Sequence, residues 1–210
     1  MDILRSDEWL LFFKEHKSKK IFSLSDLSQL TGESKSSLSV QLTRLVKAGL
    51  VKRIAYRWYE NPFSPPSCEE IAMILRYPSY ISMEYALSRY GILSQRVYTL
   101  TLVTPRLPYT YKTEKATYEY HQISKKLFWG YRKEGVINIA QPEKALLDLL
   151  YIRCVKNREM DFIAVKSLLD DMDVSDLDNE KLHLYSEIFP PKTREFLTKL
   201  GLRYGEKKSI

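Results

Sequence analysis

Two apolar runs at helical spacing, each ended by a glycine, lie within the first fifty residues and constrain the fold more than any other feature of this 210-residue chain. In SLSDLSQLTG, Leu27 and Leu30 share one side, Ser25 is the expected N-cap and Gly32 the stop, where a left-handed turn costs glycine little. In SKSSLSVQLTRLVKAG, Ser34 is the expected N-cap and Gly49 the stop. At about 100° per residue, Leu38, Leu42, Leu45 and Val46 fall within an arc of about 100°, a seam to be buried. Upstream, SDEWLLFFKEHK reads as a helix capped by Ser6, with an acidic first turn and with Trp9, Leu10, Phe12 and Phe13 inward. Downstream, LVKRIAYRWYE carries strand residues (Val51, Ile54, Tyr56, Trp58, Tyr59) around a short basic turn. The order is three helices and a hairpin.

Serine is a mediocre helix former that prefers caps and turns, so its abundance on the outer side of the third helix calls for a reason. Ser36, Val40, Thr43, Arg44 and Lys47 lie opposite the leucine seam, with Ser37 and Ser39 flanking them and Lys35 in the first turn. Short side chains let a helix approach a DNA major groove closely, hydroxyls exchange hydrogen bonds with base edges, and Lys and Arg bind phosphates. The helix N-terminus also favours an anion. Helix, glycine-containing turn and second helix form the helix-turn-helix signature, and the following hairpin suits the winged variant, with Lys52, Arg53 and Arg57 on or beside the wing. The expected partner is double-stranded DNA. The same residues also fit a three-helix packing module with a solvated polar face.

Charge points the same way. Residues 1–60 hold 11 Lys and Arg against 7 Asp and Glu, residues 61–150 hold 11 against 8, and the remainder balances at 11 against 11. A basic excess over the first two thirds suits a polyanion. Cys68 and Cys154 stand far apart with no paired spacing, which fits a reduced compartment. The start, MDILRSDEWLLFF, lacks a basic leader with a cleavage site, and no apolar run reaches the roughly 20 residues that span a bilayer. A cytoplasmic protein without a membrane partner is expected.

Prolines 62, 65 and 66 in ENPFSPPSCEE place a boundary near residue 62. Beyond it, SCEEIAMILRYP (capped by Ser67) and SMEYALSRYG (ending at Gly91) read as helices. RVYTLTLVTP, ATYEYHQIS and EGVINIAQ read as strands. QPEKALLDLLYIRCV reads as a strong helix with Pro142 in its first turn and Ala145, Leu146, Leu149, Leu150 and Ile152 on its apolar side. FIAVKSLLDDM, NEKLHLYSEIF and PKTREFLTKLG make the tail helical. The expected fold class is α+β: a winged helix-turn-helix over 1–61, then a mixed α/β domain with a helical tail over 62–210.

Two segments in the second region carry a resemblance. Tyr80, Ser82, Ala86, Leu87 and Gly91 match a Y-[IV]-S-x-x-x-A-L-x-x-x-G pattern. Ala140, Pro142, Glu143, Lys144, Ala145, Leu146, Asp148 and Leu150 match [IV]-A-x-P-E-K-A-L-[LV]-D-[LA]-L. Over roughly residues 1–155 the chain resembles the AbiEi antitoxin family of bacterial abortive-infection and type IV toxin–antitoxin systems. That resemblance implies a transcriptional regulator that represses its own operon through promoter repeats. It also implies a second domain that counters a nucleotidyltransferase-like toxin encoded alongside, without a stable complex. It implies no enzyme activity. Within the second motif Glu143, Lys144 and Asp148 suit pairing with neighbouring elements, with a catalytic or toxin-facing role as the alternative.

Other chemistry leaves little trace. His16, His121 and His183 are scattered, phosphate-loop glycine patterns and GxSxG are missing, and no cofactor or metal is expected. In DVSDLDNEKLHLYSE, Asp176, Asp178, Glu180 and Glu187 mimic calcium-loop positions, but Lys181 stands where glycine is required, so helix capping is the expected role. Tyr109, Tyr111, Tyr118, Tyr120 and Tyr131 interleave with Arg106, Lys112, Lys115, Lys125, Lys126, Arg132 and Lys133, as a second nucleic-acid surface or as sheet tyrosines with a solvated basic rim. Two other functions stay open: a one-component regulator sensing a small molecule in residues 63–180, and a wing-targeted nucleic-acid-processing enzyme. The latter's metal would have only the isolated triplets Glu15–Lys17, Glu33–Lys35 and Glu206–Lys208.

Overall fold

The computed structural model describes residues 5–113, 115–157, 161–199 and 201–202, so the last triplet, at 206–208, lies outside the described residues. The chain is mixed α+β and divides into two compact units, Met1–Ile71 and Ala72–Ile210.

The first unit runs α1 (Ser6–Glu15), β1 (Ile21–Ser23), α2 (Leu24–Thr31), α3 (Lys35–Lys47), β2 (Arg53–Ala55) and β3 (Trp58–Glu60). Its sheet has the antiparallel order β1-β3-β2, so a third strand, not foreseen from the sequence, pairs with the expected hairpin. Trp9, Phe13, Phe22, Leu27, Leu38, Leu42, Leu45 and Tyr59 make one buried core. Two expected N-caps shift. Arg5 precedes α1, its N–H donating to Glu8 at 2.6 Å, so Ser6 is already helical. Ser23 caps α2 in place of Ser25: its Oγ accepts from Asp26 N at 3.0 Å while its own N–H donates to the Asp26 carboxylate at 2.8 Å. This is a capping box with aspartate in the place usually held by Glu or Gln.

The units meet inside α4 (Cys68–Leu75), beyond the prolines. Two contacts hold the proline segment to the first unit. Lys20 Nζ lies 3.0 Å from the Glu70 carboxylate. Buried Asn61 donates through its side-chain amide to the carbonyls of Phe13, His16 and Lys19 at 3.0, 3.0 and 3.1 Å, and its Oδ1 accepts from Phe63 N. The two amide hydrogens are shared among these three carbonyls, of which His16 O also accepts from Lys19 N at 3.0 Å.

The second unit contains β4 (Tyr80–Ile81), α5 (Met83–Arg89), β5 (Thr99–Thr104), β6 (Tyr109–Lys112), β7 (Thr117–Gln122), β8 (Tyr131–Glu134), β9 (Ile137–Ala140), α6 (Pro142–Leu149), α7 (Phe162–Asp170), α8 (Asn179–Ser186) and α9 (Pro191–Lys199). Its six strands run β6-β7-β5-β4-β9-β8, with β5–β7 and β4–β9 parallel and the other neighbours antiparallel. Every residue of α6 from Glu143 to Leu149 is buried, so α6 is a central helix and not the one-sided amphipath expected. Nor does it continue as α-helix: Leu150–Lys156 winds as a π-helix, a rare geometry. Asp178 caps α8 by accepting from Lys181 N at 3.0 Å, the capping role expected for this acidic segment.

Candidate nucleic-acid interface

The turn between α2 and α3 is built from small residues. Gly32 ends α2 at φ 74°, Ser28 Oγ donates to Glu33 O at 2.6 Å, and Ser34 Oγ caps α3 by accepting from Ser37 N at 3.2 Å. Leu38, Leu42 and Leu45 then anchor α3 in the core, which turns the opposite face outward. Lys35, Ser36, Ser39, Val40, Thr43, Arg44 and Lys47 are all exposed, and Ser37 is half-buried. Val40 is the informative member: an apolar side chain left 54% exposed in the middle of a hydroxyl and cationic face. Thr43 spends its hydroxyl hydrogen on Ser39 O at 2.6 Å.

The β2–β3 hairpin adds Lys52, Arg53 and Arg57, also exposed. Its tip is ordered by cations. Tyr56 is 70% exposed, and the Arg57 and Arg53 guanidinium carbons lie 4.9 and 5.5 Å from its ring centroid. Arg57 sits at φ 63°, a conformation that costs a residue with a side chain about 1 kcal/mol and that clusters at functional sites. Lys35, Arg44, Lys47, Lys52, Arg53 and Arg57 make no ion pair with a described residue, whereas Lys19 pairs with Asp26 at 3.2 Å and Lys20 with Glu70. Lys14 and Lys17 likewise make no ion pair with a described residue, so six of the unit's unpaired cations lie on α3 and the hairpin.

Sequence reasoning missed two participants, Tyr56 as an aromatic between cations and Gln41. Gln41 lies on the leucine side of α3, buried, and accepts from Trp9 Nε1 at 2.9 Å while its Nε2 donates to Ser37 Oγ at 3.0 Å. A polar residue inside an apolar arc, in a domain with a buried tryptophan N–H to satisfy, was the signal available.

In the second unit the two motif segments meet. Asp148 accepts from Tyr80 Oη and Ser82 Oγ, each at 2.9 Å, and from Lys144 Nζ, which also donates to Tyr80 Oη at 3.0 Å. Lys144 and Asp148 are both 0% exposed. The Lys144 ammonium also faces the rings of Phe189, Trp129 and Tyr80 at 4.9, 5.3 and 5.5 Å. Gly130, at φ 75°, packs on its stem, where a Cβ would come within 2.8 Å of Lys144 Cγ. Burial pushes the Lys144 ammonium down and the Asp148 carboxyl up, each opposed by the other's charge. Burial, with Asp148 alongside, pushes the Tyr80 phenol well up. Glu143 turns elsewhere, accepting from Asp178 N at 3.2 Å and pairing with Lys181 at 2.9 Å.

The tyrosines and cations of residues 106–133 do not form one face. β6 carries Tyr109 and Lys112 at one edge of the sheet, and β8 carries Tyr131, Arg132 and Lys133 at the other. Five strand spacings separate those edges, about 24 Å. Tyr118 and Tyr120 are buried, and Tyr131 stacks on Tyr80 at 4.8 Å. Exposed cations on both edge strands suit the protection of unpaired sheet edges. His121 is largely buried, 3.6 Å from Glu119, whose carboxylate also lies 3.8 Å from Arg153 of the π-helix. Burial pushes the Cys154 thiol up to about 11.

Among the described residues, no three His, Cys, Asp or Glu side chains gather as a metal site, and no helix is long and apolar enough to cross a membrane. No family model matches the chain, and no curated protein matches it.

Proposed function

We propose that this chain is a DNA-binding antitoxin of the AbiEi type, a winged helix-turn-helix repressor of its own operon joined to a domain that counters a nucleotidyltransferase-like toxin in the cytoplasm. The observation that carries the DNA-binding part is the outer face of α3, with short hydroxyls and Val40 exposed along its middle and Arg44 and Lys47 unpaired at its end. The dipole of this 13-residue helix favours a phosphate near Ser34–Ser37, and Arg44 and Lys47 supply charge about two to four turns away. α3 would enter the major groove, and the Arg53–Tyr56–Arg57 tip would act as the wing. The antitoxin part rests on the motif resemblance. The convergence of its two segments on one buried cluster supports reading Lys144 and Asp148 as framework, and the proposal assigns the chain no catalytic step.

The DNA-binding part is tested by gel shift with the duplex directly upstream of the chain's own reading frame. Arg44→Ala and Arg53→Ala should each weaken binding several-fold and lower the salt slope by about 1. Unchanged affinity and slope in both variants would remove α3 and the hairpin from the interface. For the antitoxin part, co-expression should restore growth to cells making the nucleotidyltransferase-like protein encoded alongside. Failure to rescue at matched expression refutes it.

A further inference from the structure

The hydrogen bonds of Gln41 run in one direction. Trp9 Nε1 carries a hydrogen and no lone pair, so it can only donate, and the Gln41 atom facing it at 2.9 Å is therefore the oxygen. This sets the amide, whose Nε2 must donate to Ser37 Oγ at 3.0 Å. Ser37 Oγ accepts there, which turns its own hydrogen away from the core. A helical serine usually spends that hydrogen on the carbonyl one turn earlier, here Glu33 O, but Ser37 Oγ makes no such bond, and Glu33 O accepts from Ser28 Oγ at 2.6 Å. Ser34 Oγ, the other nearby acceptor, is engaged by Ser37 N and by Ser36 Oγ at 3.0 Å.

We infer that Trp9, Gln41 and Ser37 form a hydrogen-bond relay that presents the Ser37 hydroxyl hydrogen to a DNA phosphate oxygen, with Trp9 and Gln41 as positioning residues that never touch DNA. The inference rests on the DNA-binding reading above. A phosphate oxygen only accepts, so it takes the outward hydrogen, and each bond in such a chain polarises the next in the same sense. The relay also couples two helices: α1 supplies Trp9, α3 supplies the other two, and the Ser37 donor is held only while α1 is packed on α3.

The test is a double-mutant cycle read by fluorescence anisotropy on the upstream duplex. Ser37→Ala should weaken binding about fivefold, the scale of one hydrogen bond. Gln41→Met, which keeps the volume and removes both polar contacts, should weaken it similarly, and the double variant should be no weaker than either single. The salt slope should not change, because no charge is removed. Losses that multiply would overturn the relay, since a purely structural Gln41 has no reason to abolish the effect of Ser37→Ala. Should Gln41→Met fail to fold, Trp9→Phe replaces it. The ring stays, the donor goes, and the Ser37→Ala loss should shrink; an undiminished loss overturns the relay. A wild-type chain that does not bind the duplex at low salt overturns the DNA-binding reading itself. Binding with multiplicative losses overturns the relay alone.

Discussion

Replacing Lys144 by methionine removes one charge from a pair that water does not reach. Asp148, 0% exposed, would keep the hydroxyls of Tyr80 and Ser82 and lose its counterion. Breaking a buried pair in this way costs about 3–5 kcal/mol, against a total of about 5–15 kcal/mol for a domain. At about 2–4 °C per kcal/mol for a unit of this size, the melting temperature should fall by about 10 °C. The pH dependence carries a sign. In the variant, burial without Lys144 raises the folded-state Asp148 pKa further above its unfolded value. The folded state then binds a proton more readily, so the deficit is full at neutral pH and shrinks as pH falls through that raised pKa. Lys144→Met with Asp148→Leu removes both charges and should recover most of the loss. The assay is urea unfolding followed by circular dichroism at pH 7.5 and 5. A single variant within about 1 kcal/mol of wild type, or a deficit that grows at pH 5, would refute this account. If the pair is framework, the double variant should also still rescue toxin-expressing cells.

Asn61→Ala should destabilise the first unit by about 2–4 kcal/mol in urea unfolding, because the Phe13 and Lys19 carbonyls lose their donor, His16 O keeps only Lys19 N, and Phe63 N loses its acceptor. Serine should not rescue it, being too short to reach all three carbonyls. Arg57→Gly relieves the φ 63° strain and forfeits the Tyr56 contact, terms of about 1 kcal/mol each and opposite sign. Stability should therefore stay within about 1 kcal/mol while affinity for the upstream duplex drops at least threefold. A stability loss with unchanged affinity would make the tip purely structural.

Local signals served where one short stretch contains both partners of an interaction. Gly32 and Ser34 end and begin helices as their chemistry dictates, and the leucine spacing of α3 placed its buried and open faces. The capping of α2 slipped by two residues because Asp26 occupies the place of a longer acid. Asn61 looked like part of a proline connector, because its three acceptors lie more than forty residues earlier. The tyrosine and cation pattern of 106–133 left two readings open, and strand order decided for sheet tyrosines with exposed cations by sending the residues to opposite edges.

The amino-acid order alone determined which face of α3 is apolar, since a helix repeats every 3.6 residues whatever surrounds it. It also determined the sign of charge on the opposite face and the α+β class. Only the tertiary structure decided that Lys144 and Asp148 are interior, that Tyr80 and Ser82 complete them, and that Gln41 joins Trp9 to Ser37. Burial of a charge or an amide is a property of what packs around it, and Trp9 lies 32 residues along the chain from Gln41 and Tyr80 lies 68 from Asp148.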